Sequence, residues 1–393
     1  MPLVRRVQAL LLTALFAAAA LLSSPQRTNA DFPPYAKVVG IAVVAPLSGP
    51  EKNLGLDLSA GVKAAIDDYN AQRGLTDYVY SYASFDDQGD PGIAQQQAQF
   101  ALVDPNVAFV IGHLGGQETL LAENVYHEQG VPLIIPMSSI ARLTQMGYDN
   151  VFRLCTSDTA EGQLDARYAE RTLKAKKTAV LWLQDDFGAD TATGFMNYVS
   201  AANQMKAQDF PIDLDMKTLG ATITKAMAYA PDLVYVSGRS DDLVKVLRAL
   251  HAAGNSAPIL ASSGLYDDAA MKSLKDLAQG VEVSTCVPPI QLMPSVAVFQ
   301  RRYESQHGRL TALSLFGYAA AQVAISAAQD AGTTDKRILI RKLSTGLFQT
   351  IIGPVSFRTG GDPSEPDVYF YRYDTTNGFR YEAAAFPNPL ILR

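Results

Sequence analysis

The stretch VVGIAVVAPLSG, residues 38–49, decides how this chain folds. Val38 to Ala45 is an apolar, β-branched run with no polar alternation, the pattern of a strand covered on both faces. Pro46-Leu47-Ser48-Gly49 closes it with turn residues. From Ser59 to Asn70 the apolar positions Val62, Ala65, Ile66 and Tyr69 recur at helical spacing, and the helix ends near Gly74. A doubly covered strand followed at once by an amphipathic helix opens a β-α-β unit.

The rhythm continues outward from that stretch. Tyr78 to Phe85 reads as a strand, Asp86-Asp87-Gln88-Gly89-Asp90-Pro91 as a turn, and Ile93 to Leu102 as a helix. Strand Val107 to Ile111, helix Gln117 to Gln129 and strand Val131 to Ile135 follow. The pattern restarts with strand Thr178 to Leu183, helix Gly188 to Ala202, a weaker strand Asp213 to Thr218 and a strong one, Leu233 to Ser237. Helix Asp241 to Ala253 and strand Pro258 to Ala261 complete it. Beyond Cys286, Val296 to His307 and Ser314 to Ala331 read as long helices, and Val368 to Tyr373 alternates before an Asn377-Gly378 hairpin turn. Alternating strands and helices predict parallel sheets with helices on both faces. Two such series predict two similar lobes, and the late helices and strands predict that the chain crosses between them more than once.

Residues 1–30 read as a signal peptide: Arg5 and Arg6, an uncharged apolar run from Val7 to Leu22, the breakers Ser23-Ser24-Pro25, and Ala30 at the cleavage point. The run is shorter than the ~20 residues a membrane span needs. No Cys stands at the cleavage point, which argues against a lipid anchor. A hydrophobic share of 48% with 18% charged residues describes a globular chain with a large core. The formal net charge of -6 argues against a nucleic-acid or anionic-membrane partner. Cys155 and Cys286 are too few for a disulfide scaffold; they read either as one bridge or as two buried thiols.

In order along the chain stand Pro46-Leu47-Ser48-Gly49, Gly55, Gly61, Asp67, Asn70, Asp86-Asp87, Ile111-Gly112-His113-Leu114, Leu143-Thr144, Gly147-Tyr148 and Phe152-Arg153. This series resembles the leucine/isoleucine/valine-binding protein family, the type I periplasmic binding proteins of ABC importers, from about Val38 to Gly353-Pro354. The resemblance implies an α/β protein of two Rossmann-like lobes with parallel sheets, joined by three crossing hinge strands near Arg153 to Thr156, Val283 to Val287 and Gly353 to Ser356. Lobe 1 is then 31–154 plus 287–353, and lobe 2 is 155–286 plus 354–393. A small molecule is held in the cleft, and hinge closure lets a permease distinguish the filled form. The implied partners are ABC permease and ATPase subunits; the protein itself is a periplasmic monomer without cofactor or metal, and no phosphate-binding Gly-x-x-x-x-Gly-Lys motif is present.

Carried over residue by residue, the resemblance places Gly116, Gln117, Ser138 and Ser139 on the lobe that holds a ligand carboxylate, where helix N-termini and hydroxyls favour an anion. Gly116 stands where the family has a ligand-binding Ser, so one hydroxyl is lost. Ser138 and Ser139 equally suit plain turn capping. On the other lobe Phe187 keeps an aromatic wall and Arg239 replaces a cleft tyrosine, while at the cleft rim Leu54 replaces an aromatic residue. Ser263 replaces the acid that pairs with an amino acid's ammonium in the family. Arg239 reads either as a cleft cation or as a surface arginine pairing with Asp241 or Asp242. A lost acid and a gained base point to a small carboxylate or polar neutral ligand with an apolar body. An amino acid is accommodated if Glu118, Asp185, Asp186 or Asp267 replaces the missing acid.

Catalysis is not expected. His113, His127, His251 and His307 lack metal spacing, no Gly-x-Ser-x-Gly elbow occurs, and the Asp86-Asp87 and Asp185-Asp186 pairs sit where turns favour Asp. The rival function is a ligand-binding sensor component feeding a separate signalling receptor.

Overall fold

In the computed structural model, which describes residues 37–72, 78–202 and 204–386, the deciding stretch lies inside a sheet. Strand β1 (Lys37–Ala45) is buried from Val39 onward. It precedes α1 (Lys52–Gln72), β2 (Tyr78–Asp86), α2 (Pro91–Ala101), β3 (Val107–Gly112), α3 (Gly116–Glu128), β4 (Leu133–Ile135) and β5 (Val151–Arg153). These strands form a five-stranded sheet of order β2-β1-β3-β4-β5, in which β1, β3, β4 and β5 pair in parallel. The turn after β1 is tied down by Asp86, whose carboxylate accepts from the Leu47 and Ser48 amides and, at 2.6 Å, from the Ser48 hydroxyl. Asn70 likewise brackets the Tyr80 backbone with both ends of its amide.

The second half runs α4 (Asp158–Arg171), β6 (Lys177–Leu183), α5 (Asp186–Ala202), β7 (Lys206–Ile212), α6 (Leu219–Ala228), β8 (Leu233–Ser237), α7 (Ser240–Ala252), β9 (Ile259–Ala261), α8 (Asp268–Leu274) and β10 (Glu282–Thr285). Its sheet has the order β14-β13-β10-β9-β8-β6-β7, parallel from β10 to β7. The last two strands, β13 (Tyr369–Asp374) and β14 (Gly378–Ala384), join antiparallel. Helices α9 (Pro294–His307), α10 (Ala312–Ala331) and α11 (Lys336–Thr345) and the hairpin β11 (Phe348–Thr350)–β12 (Gly353–Val355) lie between them in sequence. Helix α10 returns to the first half: a Cβ on Gly61 of α1 would stand 2.0 Å from the Ser314 carbonyl oxygen, so only glycine permits that approach.

Two element assignments need correction. The weaker strand lies at Lys206–Ile212, and the 213–218 segment expected to form it is instead the approach to α6. Pro211 sits within that strand, which is possible because β7 is the sheet's edge. The third passage between the sheets also runs later than expected. At Gly361 the chain still accepts the Arg153 amide, and Asp362 still pairs with the Arg153 side chain. It enters the second sheet at Tyr369, so the passage falls at 363–368 rather than at Gly353 to Ser356.

The passages are fastened to one another. Cys155 and Cys286 form a disulfide with Cα atoms 5.6 Å apart, which resolves the two readings of the cysteines. The Thr156 hydroxyl donates to the Asp367 carbonyl, and the Tyr371 hydroxyl to that of Val287. The signal peptide expected at 1–30 lies outside the described residues.

Candidate functional site

The C-terminal ends of the strands in both sheets open onto one cavity of about 630 Å³, within the range of small-molecule sites. Leu54, Gly116, Ser138, Ser139, Phe187, Arg239 and Ser263 all line it, although they are spread over more than two hundred residues of sequence. Gln117 does not. Its amide donates across the cavity's mouth to Asp186 at 3.2 Å. Leu114, Met137, Ile140, Tyr266, Val287 and Leu313 complete an apolar lining.

One wall is uncharged except for Glu51. Gly115 is the N-cap of α3 without a side-chain cap, which leaves backbone donors at the helix start. Where a serine is expected from the resemblance, a Cβ on Gly116 would lie 1.9 Å from Cδ1 of Ile140, so the Ile140 side chain takes the volume of the missing one. Ser138 is buried at the end of the β4 loop, and the Ser139 carbonyl accepts the Asp158 amide, which joins this wall to the next.

The opposite wall is acidic. Asp158 and Glu161, in the first turn of α4 behind the Ser157 cap, line the cavity and are buried. Glu161 accepts from the Ser263 amide at 2.6 Å, the Ser263 hydroxyl at 2.8 Å and the Ser284 hydroxyl at 3.1 Å. Asp165, one turn on, accepts from Tyr235 and Ser284. Neither Asp158 oxygen reaches a partner of good hydrogen-bond geometry among the described residues. Burial, reinforced by Glu161 and partly offset by Ser139 and Arg153, pushes the Asp158 pKa up to about 8. Burial raises Glu161 and Asp165 as well. Holding an ionised carboxylate this way costs several kcal/mol in lost hydration unless a cation meets it.

This wall changes the meaning of two residues. Ser263 marks no loss of acid from the cavity, because its hydroxyl and amide hold Glu161 there. Arg239 lines the rim with its side chain 82% exposed, and its partner is Asp185 at 3.6 Å, not Asp241 or Asp242. The expected replacement acids are engaged elsewhere. Asp267 caps α8, Asp185 accepts from Gly188, Asp186 from Gln117, and Glu118 folds back against Gly115. His113 is a packing residue, held between Asp87 at 2.7 Å and Tyr126 at 3.0 Å. Among the described residues no group of His, Cys, Asp and Glu has metal-binding geometry.

Comparison with known proteins agrees with this architecture. A family model described as periplasmic binding protein matches residues 38–378. A Leu/Ile/Val-binding protein homolog of Brucella suis is 25% identical over 338 residues, covering 86% of this chain and 90% of its own length. Among solved structures, an ABC transporter substrate-binding protein from Desulfitobacterium hafniense in complex with Leu superposes with a TM-score of 0.75 at 22% identity, covering 88% of this chain and 100% of the other. A solute-binding protein of an ABC transporter from Rhodopseudomonas palustris, in complex with 3,4-dihydroxybenzoic acid, superposes with a TM-score of 0.71 at 17% identity, covering 90% and 99%.

Proposed function

The chain belongs to the periplasmic binding protein family, and on that premise we propose that it captures a small amino acid or carboxylate-like solute for an ABC importer of the branched-chain amino acid type. It is a solute-binding protein and not an enzyme. In this reading the signal peptide delivers it to the periplasm, where it works as a monomer and hands its solute to permease and ATPase partners. The closing bodies are the two sheets with their helices, divided near Arg153 to Thr156, Val283 to Val287 and residues 363–368.

The observation that carries the reading is the cavity itself, lined from both halves and flanked by the passages that would flex. A solute touching both walls binds the closed form better than the open one, and that difference in affinity drives closure. The α3 wall offers a carboxylate the backbone donors of α3 and the hydroxyls of Ser138 and Ser139. The Leu-binding and dihydroxybenzoate-binding neighbours keep both amino acids and aromatic acids in the range to be tested.

The test is a thermal-shift screen of amino acids, aromatic acids, short aliphatic acids and amides, followed by solution scattering of each hit. A true solute at a hundred times its Kd adds about 2.7 kcal/mol of stability, and scattering should show compaction. No shift from any class, with an unchanged scattering profile, would overturn the capture reading.

A further inference from the structure

We propose that the Cys155–Cys286 disulfide is a modification site for small thiols, reached through the solute cavity and shielded by a solute that fills it. The site goes beyond the capture reading, and its gating by solute rests on that reading. Both cysteines line the cavity, together with Thr285 and Val287 beside Cys286, and each is only 7% exposed. Leu154 and Thr156, which flank Cys155 in the chain, are buried as well. A bond so enclosed is approached from the space it borders, and a space of about 630 Å³ admits a small thiol but no macromolecule. A disulfide set in a core faces only packed side chains; this one faces the place a captured solute occupies.

The chemistry is thiol–disulfide exchange. A small thiol that has lost its proton attacks one Sγ and forms a mixed disulfide, and the other cysteine leaves as a thiolate that takes up a proton. A second small thiol then displaces the first as an external disulfide, leaving Cys155 and Cys286 as thiols. Two external thiols are oxidised and the protein bridge accepts their two electrons. The bond that breaks joins the passage Arg153 to Thr156 directly to the passage Val283 to Val287. The hydrogen bonds beside it run elsewhere: Thr156 donates to Asp367, and Tyr371 to Val287, so each ties one of these passages to the third or to the strand after it. With the bridge intact the first two passages turn together. Once it opens they move separately, the empty form gains conformations, and a solute must order them again on binding. Affinity therefore falls on reduction, by about tenfold, a usual size for coupling between two sites. Linkage makes the effect reciprocal, so a bound solute makes the bridge harder to reduce by the same factor.

Alkylation followed by mass spectrometry on the intact folded protein tests this. β-Mercaptoethanol should open Cys155 and Cys286 to iodoacetamide while the circular dichroism stays native. A thiol carried on a long polyethylene glycol chain should act at least about 30-fold more slowly, after correction for its rate on a free small-molecule disulfide. A bridge that opens only as the chain unfolds, or that the polymer thiol opens as fast, overturns the site. Each amino acid or carboxylic acid of the thermal-shift panel that raises the melting point should, at saturation, slow reduction by β-mercaptoethanol about tenfold or more. The same compound should bind about tenfold more weakly to the Cys155→Ser/Cys286→Ser variant, and equally to wild type held reduced, which requires no variant to fold. A compound that binds yet leaves the reduction rate unchanged, or binds the reduced and oxidised forms alike, overturns the gating while solute capture stands. If no compound raises the melting point, the capture reading fails and the gating with it, whereas the comparison of the two thiols still decides the modification site.

Discussion

The two walls of the cavity differ in the kind of group they present. The α3 wall presents glycines, serines and backbone amides beside a single acid, Glu51, and it gains polarity from a helix terminus. The α4 wall is built of buried carboxyl groups, acceptors whose charged form burial disfavours. The first wall offers uncharged donors, whereas the acids of the second favour their protonated form. The cavity therefore differs in polarity across the cleft rather than along it. The walls meet where the Asp158 amide donates to the Ser139 carbonyl, beside the disulfide.

The largest expected effect comes from loosening that joint. Cys155 and Cys286 close a loop of 131 residues between the two passages. Their joint replacement by alanine should cost about 2–5 kcal/mol of stability, measured by urea denaturation under oxidising conditions, because the unfolded chain regains the entropy the bridge removes. Addition of a reductant to the wild type should give a similar loss and leave the double variant unchanged. A wild type indifferent to reduction would mean that packing alone sets the offset between the walls.

A smaller effect separates the walls by pH. The Asp158 pKa rises from the ordinary 3.8 to about 8 in the folded protein. Between those values the folded state holds a proton that the unfolded state has released. The contribution of this residue to stability is therefore greatest in acid and falls as pH rises, by at most about 1.4 kcal/mol per unit for one proton. From pH 5 to 7 the empty wild type should lose roughly 2–3 kcal/mol through this residue. Asp158→Asn should remove that component and leave a shallower slope from Glu161 and Asp165, whose pKa values burial also raises. Ser138 does not titrate, so Ser138→Ala should show the same pH slope as wild type. Identical slopes in the wild type and the Asn variant would show that the Asp158 carboxyl is not proton-bound in the folded state.

The same contrast explains what could be read from the chain. Burial in this fold is nearly one-dimensional, so runs such as Val38 to Ala45 announce covered strands. The α3 wall was legible because its loops sit between readable elements. Strand β7 was misplaced because Pro211 looks like a breaker until the strand proves to lie at an edge. Helix α11 was missed because Leu339, Ile340 and Leu343 are set among charged residues. The acids of α4 were missed for a different reason. Asp158 and Glu161 follow Ser157 as ordinary residues of a helix's first turn, where acids are common. A usable signal was present: Glu161, Asp165 and Tyr168 fall at the spacing of the buried stripe, on the same face as Leu164 and Ala169. Carboxylates at core positions of an otherwise apolar stripe are worth testing as a site. The surroundings of Gly116 and Ser263 were not legible, since their neighbours Ile140 and Glu161 are far away in sequence.

The smallest expected effects sharpen the assignment of charge to each wall. Ser138 is buried beside the α3 wall, so Ser138→Ala should weaken an amino acid solute and a simple carboxylic acid alike, by about tenfold, as loss of a hydrogen bond to a charged group does. Arg239 is the arginine of the cavity lining, yet its side chain is 82% exposed and already faces Asp185 at 3.6 Å. Solvent screens such a pair to within ~0–1 kcal/mol, so Arg239→Ala should move either affinity by less than about threefold. The two variants measured side by side locate the anion's partner. If Arg239→Ala weakens the carboxylate more than Ser138→Ala does, the positive end of the cavity sits on the rim of the second half. The field would then run along the cleft, and a solute would lie parallel to the walls instead of bridging them.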